Sequence, residues 1–213
     1  MKVFIDKLKE KLTLEDDNAE KTVVELENFS KINLKSNTSN VVIEKDDVEK
    51  PRLEYVEREK VSLDFSVSHG ELTVVQKVKF HFSFGPNNYN SKLRVVVPRN
   101  FDLESVKLEV DAGNVKIRDL DLQEVFMDIN AGNLKVEDTK VENFKLESNA
   151  GNVKLENVSS SDNKLELNAG NIKLKDSNLN KGKIEVNAGN IKIDNSLLDN
   201  VELDVNAGKV KYI

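Results

Sequence analysis

The chain has 213 residues, a formal net charge of −6 and no cysteine. The acidic balance argues against nucleic acid as a partner, because phosphate binding needs clustered positive charge. The absence of cysteine excludes disulfides, thiolate metal sites and thiol nucleophiles. No stretch reaches the roughly 18 consecutive apolar residues of a membrane-spanning helix, so the sequence predicts no transmembrane segment.

The N-terminal segment, residues 1–21, predicts a short amphipathic helix followed by a linker. Phe4, Leu8 and Leu12 recur at intervals of about four residues, which is helical spacing. We expect this helix, over residues 2–12, to cap the end of a repeat stack; a partner-docking or membrane-surface helix is the alternative. The segment has no apolar run of signal-peptide length, which predicts a cytoplasmic protein, with surface or envelope association if a leader has been removed.

Residues 22–213 are predicted to form one β-solenoid domain, whose first part, residues 22–104, consists of irregular coils. Segment 29–47 alternates apolar and polar residues around a corner with two extra residues relative to the repeats downstream. Segment 61–76 shows the same alternation around His69 and Gly70, which predicts a further coil.

The segment KFHFSFGPNNYNSK (79–92) departs from the solenoid pattern. Alternating phenylalanines precede a Gly-Pro-Asn-Asn turn signal, and a tyrosine follows it. One interpretation is a hairpin that buries one face against the stack; the other is a contact with a ligand or partner. The residues of this candidate contact are Phe80, Phe82, Phe84 and Tyr89.

Residues 105–213 consist of regular coils in which glycine recurs every 19 residues. Apolar and polar residues alternate before and after each glycine, which is the period of a half-buried strand. Each repeat therefore predicts two main strands joined at an Asx-Ala-Gly-Asn corner, where glycine permits positive φ and the asparagines hydrogen-bond between coils. The corner glycines are Gly113, Gly132, Gly151, Gly170, Gly189 and Gly208.

The outward positions of the repeats form two charged rows, an acidic one from Glu109 to Asp204 and a basic one from Lys116 to Lys211. We interpret them as a solvated surface that protects the strands from edge pairing; a strip that binds an anionic polymer or membrane head groups is the alternative. The stack ends without a cap, so its open C-terminal edge predicts either a homo-oligomer or screening of the edge by Lys209.

The sequence contains few groups suited to catalysis or metal binding. His69 and His81 have no cysteine partners and no His-x-x-x-His spacing. Neither a phosphate-binding loop nor a dinucleotide fingerprint is present. We therefore expect no enzymatic activity, no cofactor and no metal.

The run LRVVVPRNFDLESVKLEVDAGNVKI (93–117), followed by repeated Asn-Ala-Gly-Asn units, resembles a bacterial family of unknown function labelled "putative adhesin". The resemblance covers about residues 22–213. It implies an all-β, single-stranded β-solenoid or β-helix of short coils, and a surface-binding function linked to the cell envelope. It brings no catalytic residues.

Three functions remain open at this point. The first is a non-catalytic, adhesin-like binding or structural protein with an envelope or glycan ligand. The second is a self-assembling scaffold similar to bactofilin filaments, which the uncapped C-terminus favours. The third is a carbohydrate-active β-helix enzyme.

Overall fold

The computed structural model describes residues 9–13, 20–56, 60–78 and 91–213. Within these ranges the chain forms strands and no helix, which confirms the all-β prediction. The strands are β1 (Lys9–Thr13), β2 (Glu20–Glu25), β3 (Lys31–Ser36), β4 (Asn40–Asp46), β5 (Arg52–Val56), β6 (Val61–Ser68), β7 (Glu71–Val78), β8 (Lys92–Pro98), β9 (Ser105–Ala112), β10 (Val115–Arg118), β11 (Asp121–Ala131), β12 (Leu134–Ala150), β13 (Val153–Ala169), β14 (Ile172–Lys175), β15 (Asn178–Asp194) and β16 (Leu197–Tyr212).

From β9 onward the chain forms a parallel stack of coils. Leu146 of β12 lies beside Leu165 of β13, and Val115 of β10 lies beside Leu134 of β12. The strand pairs between β9 and β16 are parallel throughout. The predicted β-solenoid is therefore confirmed, with about six turns.

Each regular coil has three sides, which we name faces A, B and C. Face A starts with β9 and continues through the segments in register with it, and face B starts with β10 in the same way. Face C is a shorter segment that starts with residues 121–122 and pairs with residues 140–141 of the next coil. The sequence predicted only the two longer sides, because face C is too short to show an alternating pattern.

Apolar columns from faces A and B fill the core. On face A the column from Leu108 to Ile184 is fully buried, and on face B the column from Val115 to Ile191 is buried as well. Alternation places these side chains on one side of each strand and the charged ones on the other. The core is thus a continuous apolar layer built from equivalent positions of successive coils.

The corner between faces B and C contains a further inward column, which holds Leu120, Thr139, Val158 and Ser177. The Ser177 hydroxyl donates to the Lys175 carbonyl oxygen at 2.8 Å and accepts from the Val158 amide at 3.1 Å. These bonds satisfy backbone groups at a corner where the strand pairing is interrupted.

The first half of the chain does not stack in sequence order. β3 pairs with β9 and β4 pairs with β10, so the coil made by β3 and β4 lies directly beside the regular repeats. β7 and β8 pair with the opposite edges of β3 and β4. The coil made by β7 and β8 is therefore farther from the repeats, although it comes later in the chain than β3 and β4.

Antiparallel strands close this end of the described stack. β6 pairs with β7 on face A, whereas β5, β2 and β1 follow β8 on face B. The predicted N-terminal helix spans residues 2–12, of which residues 2–8 lie outside the described residues. Residues 9–12 belong to β1, so the helix prediction is wrong there: pairing with β2 overrides the weak helical spacing.

The corner of segment 29–47 has the same length as the regular corners. Leu34 pairs with Leu108 before the corner and Val41 pairs with Val115 after it. The residue numbers of the paired residues differ by the same amount before and after the corner. The corner therefore does not contain the two extra residues that the sequence predicts.

Segment 61–76 is an antiparallel hairpin, so the prediction of a coil there is wrong. His69 and Gly70 have φ angles of 52° and 75°. Two consecutive residues with positive φ form the tight turn that reverses a chain between antiparallel strands. The alternating pattern was interpreted correctly as strands, and the turn type decided their direction.

Candidate binding groove

The aromatic residues predicted to contact a ligand, Phe80, Phe82, Phe84 and Tyr89, lie outside the described residues. The flanking strands β7 and β8 lie on faces A and B, and the Ser91 carbonyl oxygen accepts a hydrogen bond from the Asn40 amide at 2.9 Å. The role of the aromatic segment stays a prediction from the sequence.

The six repeat glycines lie at the corner between faces A and B, with φ angles from 136° to 158°. At Gly151, an added Cβ would overlap the carbonyl group of Gly132, whose carbon lies 2.7 Å from the Cβ position. Both the φ angle and the close approach between coils require glycine here.

An amide ladder runs along the face A side of this corner. Asn149 donates from Nδ2 to Oδ1 of Asn130 at 2.7 Å, and Asn130 donates in the same way to Asp111 at 3.1 Å. From the other side, Asn37 donates to Oδ2 of Asp111 at 2.5 Å. Asp111 is the carboxylate of this ladder, and it accepts hydrogen bonds from two asparagines, Asn37 and Asn130.

A second amide ladder runs along the face B side of the corner. The side-chain oxygen of Asn114 accepts from both the backbone amide and the side-chain amide of Asn133, at 3.2 Å and 2.9 Å. Asn152 repeats this arrangement on Asn133. The corner asparagines are therefore occupied by contacts between coils, as the sequence indicated.

Most members of the charged rows of faces A and B form ion pairs within the protein. Lys145 lies 2.8 Å from Glu147 on face A, and Lys175 lies 2.7 Å from Glu156 on face B. Hydrogen bonds from Lys154 and Lys175 lower the pKa of Glu156 to about 2. Faces A and B thus carry interleaved ion pairs, not separate acidic and basic strips.

A denser ion cluster lies on face B near the antiparallel end. Arg94 contacts Glu44 at 2.5 Å, Asp46 at 3.0 Å and Glu54 at 3.1 Å, and Lys21 pairs with Glu54 as well. Burial alone would raise the pKa of Glu54, but hydrogen bonds from Lys21 and Arg94 outweigh it and lower the pKa. This cluster joins β2, β5, β8 and β4 through ion pairs.

An open groove of about 1070 Å³ runs along face C from coil to coil. Residues 101–104 line one end, and Leu197 and Asp199 of the last coil line the other. Coils are about 4.8 Å apart, so the rows of equivalent residues that line the groove between its two ends extend over roughly 15–20 Å. The polar side chains along these rows belong to Asp121, Gln123, Lys140, Glu142, Ser159, Ser161, Asn178 and Asn180.

Eight polar side chains along the groove have no partner within the described chain, in contrast to the paired lysines and carboxylates of faces A and B. Across residues 9–13, 20–56, 60–78 and 91–213, none of the eight forms a side-chain hydrogen bond or ion pair. Sequence reasoning missed this groove. The signal is variation within a regular repeat: aligned positions 121, 140, 159 and 178 hold Asp, Lys, Ser and Asn.

Metal-binding clusters and membrane-spanning helices are both absent from the described residues. No group of three or more His, Cys, Asp or Glu side chains comes together there in a way that could hold a metal ion. None of the described segments is a helix long and apolar enough to cross a membrane.

These features define a β-solenoid with glycine corners, amide ladders and an open groove along face C. The family model described as Toastrack DUF4097 matches residues 29–213. The chain therefore belongs to this family, in agreement with the resemblance drawn from its repeats. A comparison with curated proteins found no match.

A solved structure with an adhesin-like name shares the fold, and two others are less similar. A "putative adhesin" from Bacteroides fragilis is 16% identical, with 91% of this chain and 96% of that chain covered and a TM-score of 0.53. A "putative cell adhesion protein" from Clostridium sporogenes is 13% identical, with 92% and 100% covered and a TM-score of 0.42. A "Putative lipid binding protein" from Parabacteroides distasonis is 12% identical, with 92% and 98% covered and a TM-score of 0.41.

Proposed function

We propose that this chain is a non-catalytic, adhesin-like binding protein that holds an extended glycan of the cell envelope in the face C groove. The observation that supports the proposal is the contrast between the faces. Eight polar side chains along face C are unpartnered within the described residues, whereas most lysines and carboxylates in the charged rows of faces A and B pair with each other.

The chemistry of the groove suits a hydroxyl-rich polymer. Ser159 and Asn178 both donate and accept hydrogen bonds, Lys140 donates and Glu142 accepts. Sugar hydroxyls also donate and accept, so a glycan chain along the coils matches this mixture better than a purely anionic or apolar ligand does. Phe101 adds apolar surface at one end of the groove.

Co-sedimentation with purified, insoluble peptidoglycan sacculi tests the proposal. We expect saturable binding of the wild-type chain, and at least about tenfold weaker binding of Ser159→Trp, because the indole fills the middle of the groove. Lys173→Trp on face B is the matched control and should bind like the wild type. Absence of saturable binding, or equal binding by both variants, would contradict the proposal.

The same assay separates binding from catalysis. We expect no soluble sugar fragments to appear during incubation. Release of fragments that stops in Asp121→Asn or Glu142→Gln would replace the proposal with a carbohydrate-active enzyme, since paired carboxylates are the usual groups in glycoside hydrolysis.

The compartment is a separate proposal. Binding of an envelope glycan places the chain at the cell envelope, and the cytoplasm is the alternative. Fractionation of the native cells with an antibody against this chain decides between the two.

A further inference from the structure

The last coil of the stack exposes apolar side chains that interior coils bury. The large hydrophobic residues that are exposed in the described part of the chain all belong to this coil: Leu197 (71% exposed), Val210 (37%), Tyr212 (68%) and Ile213 (58%). Tyr212 pairs in register with Ile193, which is buried in the coil before. Val210 and Tyr212 are at core positions, which the described chain covers on one side only, whereas Leu197 and Ile213 align with the outward residues Asn178 and Asp194 of the coil before.

The backbone of this coil is also open on one side. β16 runs along faces C, A and B and, within the described chain, pairs only with β15. Its other edge presents unpaired N–H and C=O groups, which are a template for a further strand. A partner for this edge has to pair with its backbone groups and cover its apolar side chains.

Among the positions at which the last coil departs from the repeat, two have changes of opposite charge. On face A, Glu202 aligns with Lys183, so an acid replaces a lysine. At the corner, Lys209 aligns with Asn190, so a lysine replaces an amide. The face A part of the edge is therefore acidic, with Glu202 and Asp204, and the face B part is basic.

We propose that this edge binds a second copy of the chain through antiparallel pairing of the two β16 strands. The two-fold axis lies in the plane of the coil and passes through the corner between Ala207 and Gly208. It sets the acidic face A edge of each copy against the basic face B edge of the other. The opposed pairs are Leu203 with Tyr212, Asp204 with Lys211, Val205 with Val210, and Asn206 with Lys209.

This axis places apolar residues opposite apolar residues, and acidic residues opposite basic ones. Leu203 and Val205 point into the core, as do the Val210 and Tyr212 positions, so apolar residues meet on the inner side. Asp204 and Lys211 point outward and meet on the outer side. An axis through the middle of face A, at Leu203, would instead place Glu202 of one copy opposite Asp204 of the other. Like charges directly opposite each other destabilise a sheet.

The opposite end of the stack does not fit β16, which favours a closed dimer over a filament. Beyond the coil of β7 and β8, face A adds one strand, β6, whereas face B adds β5, β2 and β1. The described end is therefore stepped, and the flat edge of β16 cannot pair with both faces at once. Head-to-tail growth needs two matching ends.

Sedimentation equilibrium of the full chain over a concentration series tests the proposal. We expect a monomer–dimer equilibrium that stops at the dimer. Asp204→Lys and Lys211→Asp should each weaken dimerisation by about tenfold, because each change turns two attractive cross-strand pairs into repulsive ones. The double variant Asp204→Lys/Lys211→Asp should restore it, since lysine and aspartate then face each other again.

The double variant separates the contact between copies from effects within one chain. Asp204 also lies 3.0 Å from Lys183 of its own chain, and exchanging Asp204 and Lys211 does not restore that pair. Asp128→Lys, the same change on face A in an interior coil, is the matched control and should dimerise like the wild type. A monomer at all concentrations, growth beyond the dimer, or no recovery in the double variant would overturn the proposal.

Discussion

At the residue scale, the repeat glycines combine two constraints that no other residue satisfies. Each has a φ angle that L-residues rarely adopt, and each lies against the backbone of the neighbouring coil, which is Ser39 for Gly113 and the preceding repeat glycine for the others. The amide ladders on both sides then connect the corners from coil to coil. The Asn-Ala-Gly-Asn signature is explained by these contacts and needs no binding role.

Gly151→Ala should destabilise the protein by more than about 3 kcal/mol, because it adds a steric overlap with Gly132 to the cost of an unfavourable φ angle. Urea unfolding followed by far-UV circular dichroism measures the effect. Gly70→Ala is the matched control: Gly70 also has positive φ, but an added Cβ there meets no atom within 4 Å. That variant should lose only about 1–2 kcal/mol. Equal losses would show that the close approach between coils contributes little.

At the element scale, the antiparallel strands that close face B are joined by charges. Glu54 on β5 is almost completely buried and contacts Lys21 on β2 and Arg94 on β8. Removing one member takes a charge partner away from groups that are wholly or partly buried, which is costly even when the intact cluster adds little net stability. The cluster therefore determines how these strands respond to pH.

The stabilising effect of Glu54 should disappear at low pH. Its pKa is lowered from the ordinary value of 4.5, so its contribution is present above pH 4.5 and is lost as the pH falls through the lower pKa of the folded state. Glu54→Gln should cost on the order of 2–4 kcal/mol at pH 7. The difference from wild type should shrink below pH 4.5, as measured by urea unfolding at a series of pH values.

Glu147→Gln is the control for this experiment. Glu147 pairs with Lys145 on the exposed surface of face A, so its removal should cost at most about 1 kcal/mol at pH 7. A difference between Glu54→Gln and wild type that stays constant from pH 7 to pH 3 would contradict the assignment of the pH response to Glu54.

At the scale of the whole molecule, stability comes from equivalent coils that contact their neighbours. In such a stack, stability is close to a sum of coil and interface contributions. Each regular coil offers nearly the same columns to the next, as the pairs Leu146–Leu165 and Lys145–Lys164 illustrate. Removing one complete coil should therefore leave a smaller but intact solenoid.

Deletion of residues 147–165, a complete repeat, should give a chain that unfolds cooperatively with reduced stability. Deletion of residues 147–164 removes one residue fewer and should abolish cooperative unfolding. A shift of one residue moves the inward side chains to the outer side of the strand. Thermal melts followed by circular dichroism compare the two chains. Similar melts would mean that the register between coils is not decisive.

The sequence by itself determined the regular half of the fold and little of the candidate site. The glycine interval and the alternating columns predicted parallel coils, because each position repeats its contacts in every coil. The coil at 61–76 and the helix at 2–12 were predicted from local patterns, which do not specify strand direction or tertiary pairing. The order of β3, β4, β7 and β8 in the stack likewise depends on contacts between distant segments.

The groove became evident only from the tertiary structure, whereas the open C-terminal edge was already expected from the sequence. Face C is a few residues long in each coil, so no periodic signal identifies it, and its unpartnered side chains become evident only when the other faces are seen to pair. At β16, single residues such as Glu202 and Lys209 acquire meaning from their place at the end of the stack. Repetition in a sequence specifies how coils pack on each other, whereas binding surfaces arise where that repetition is broken.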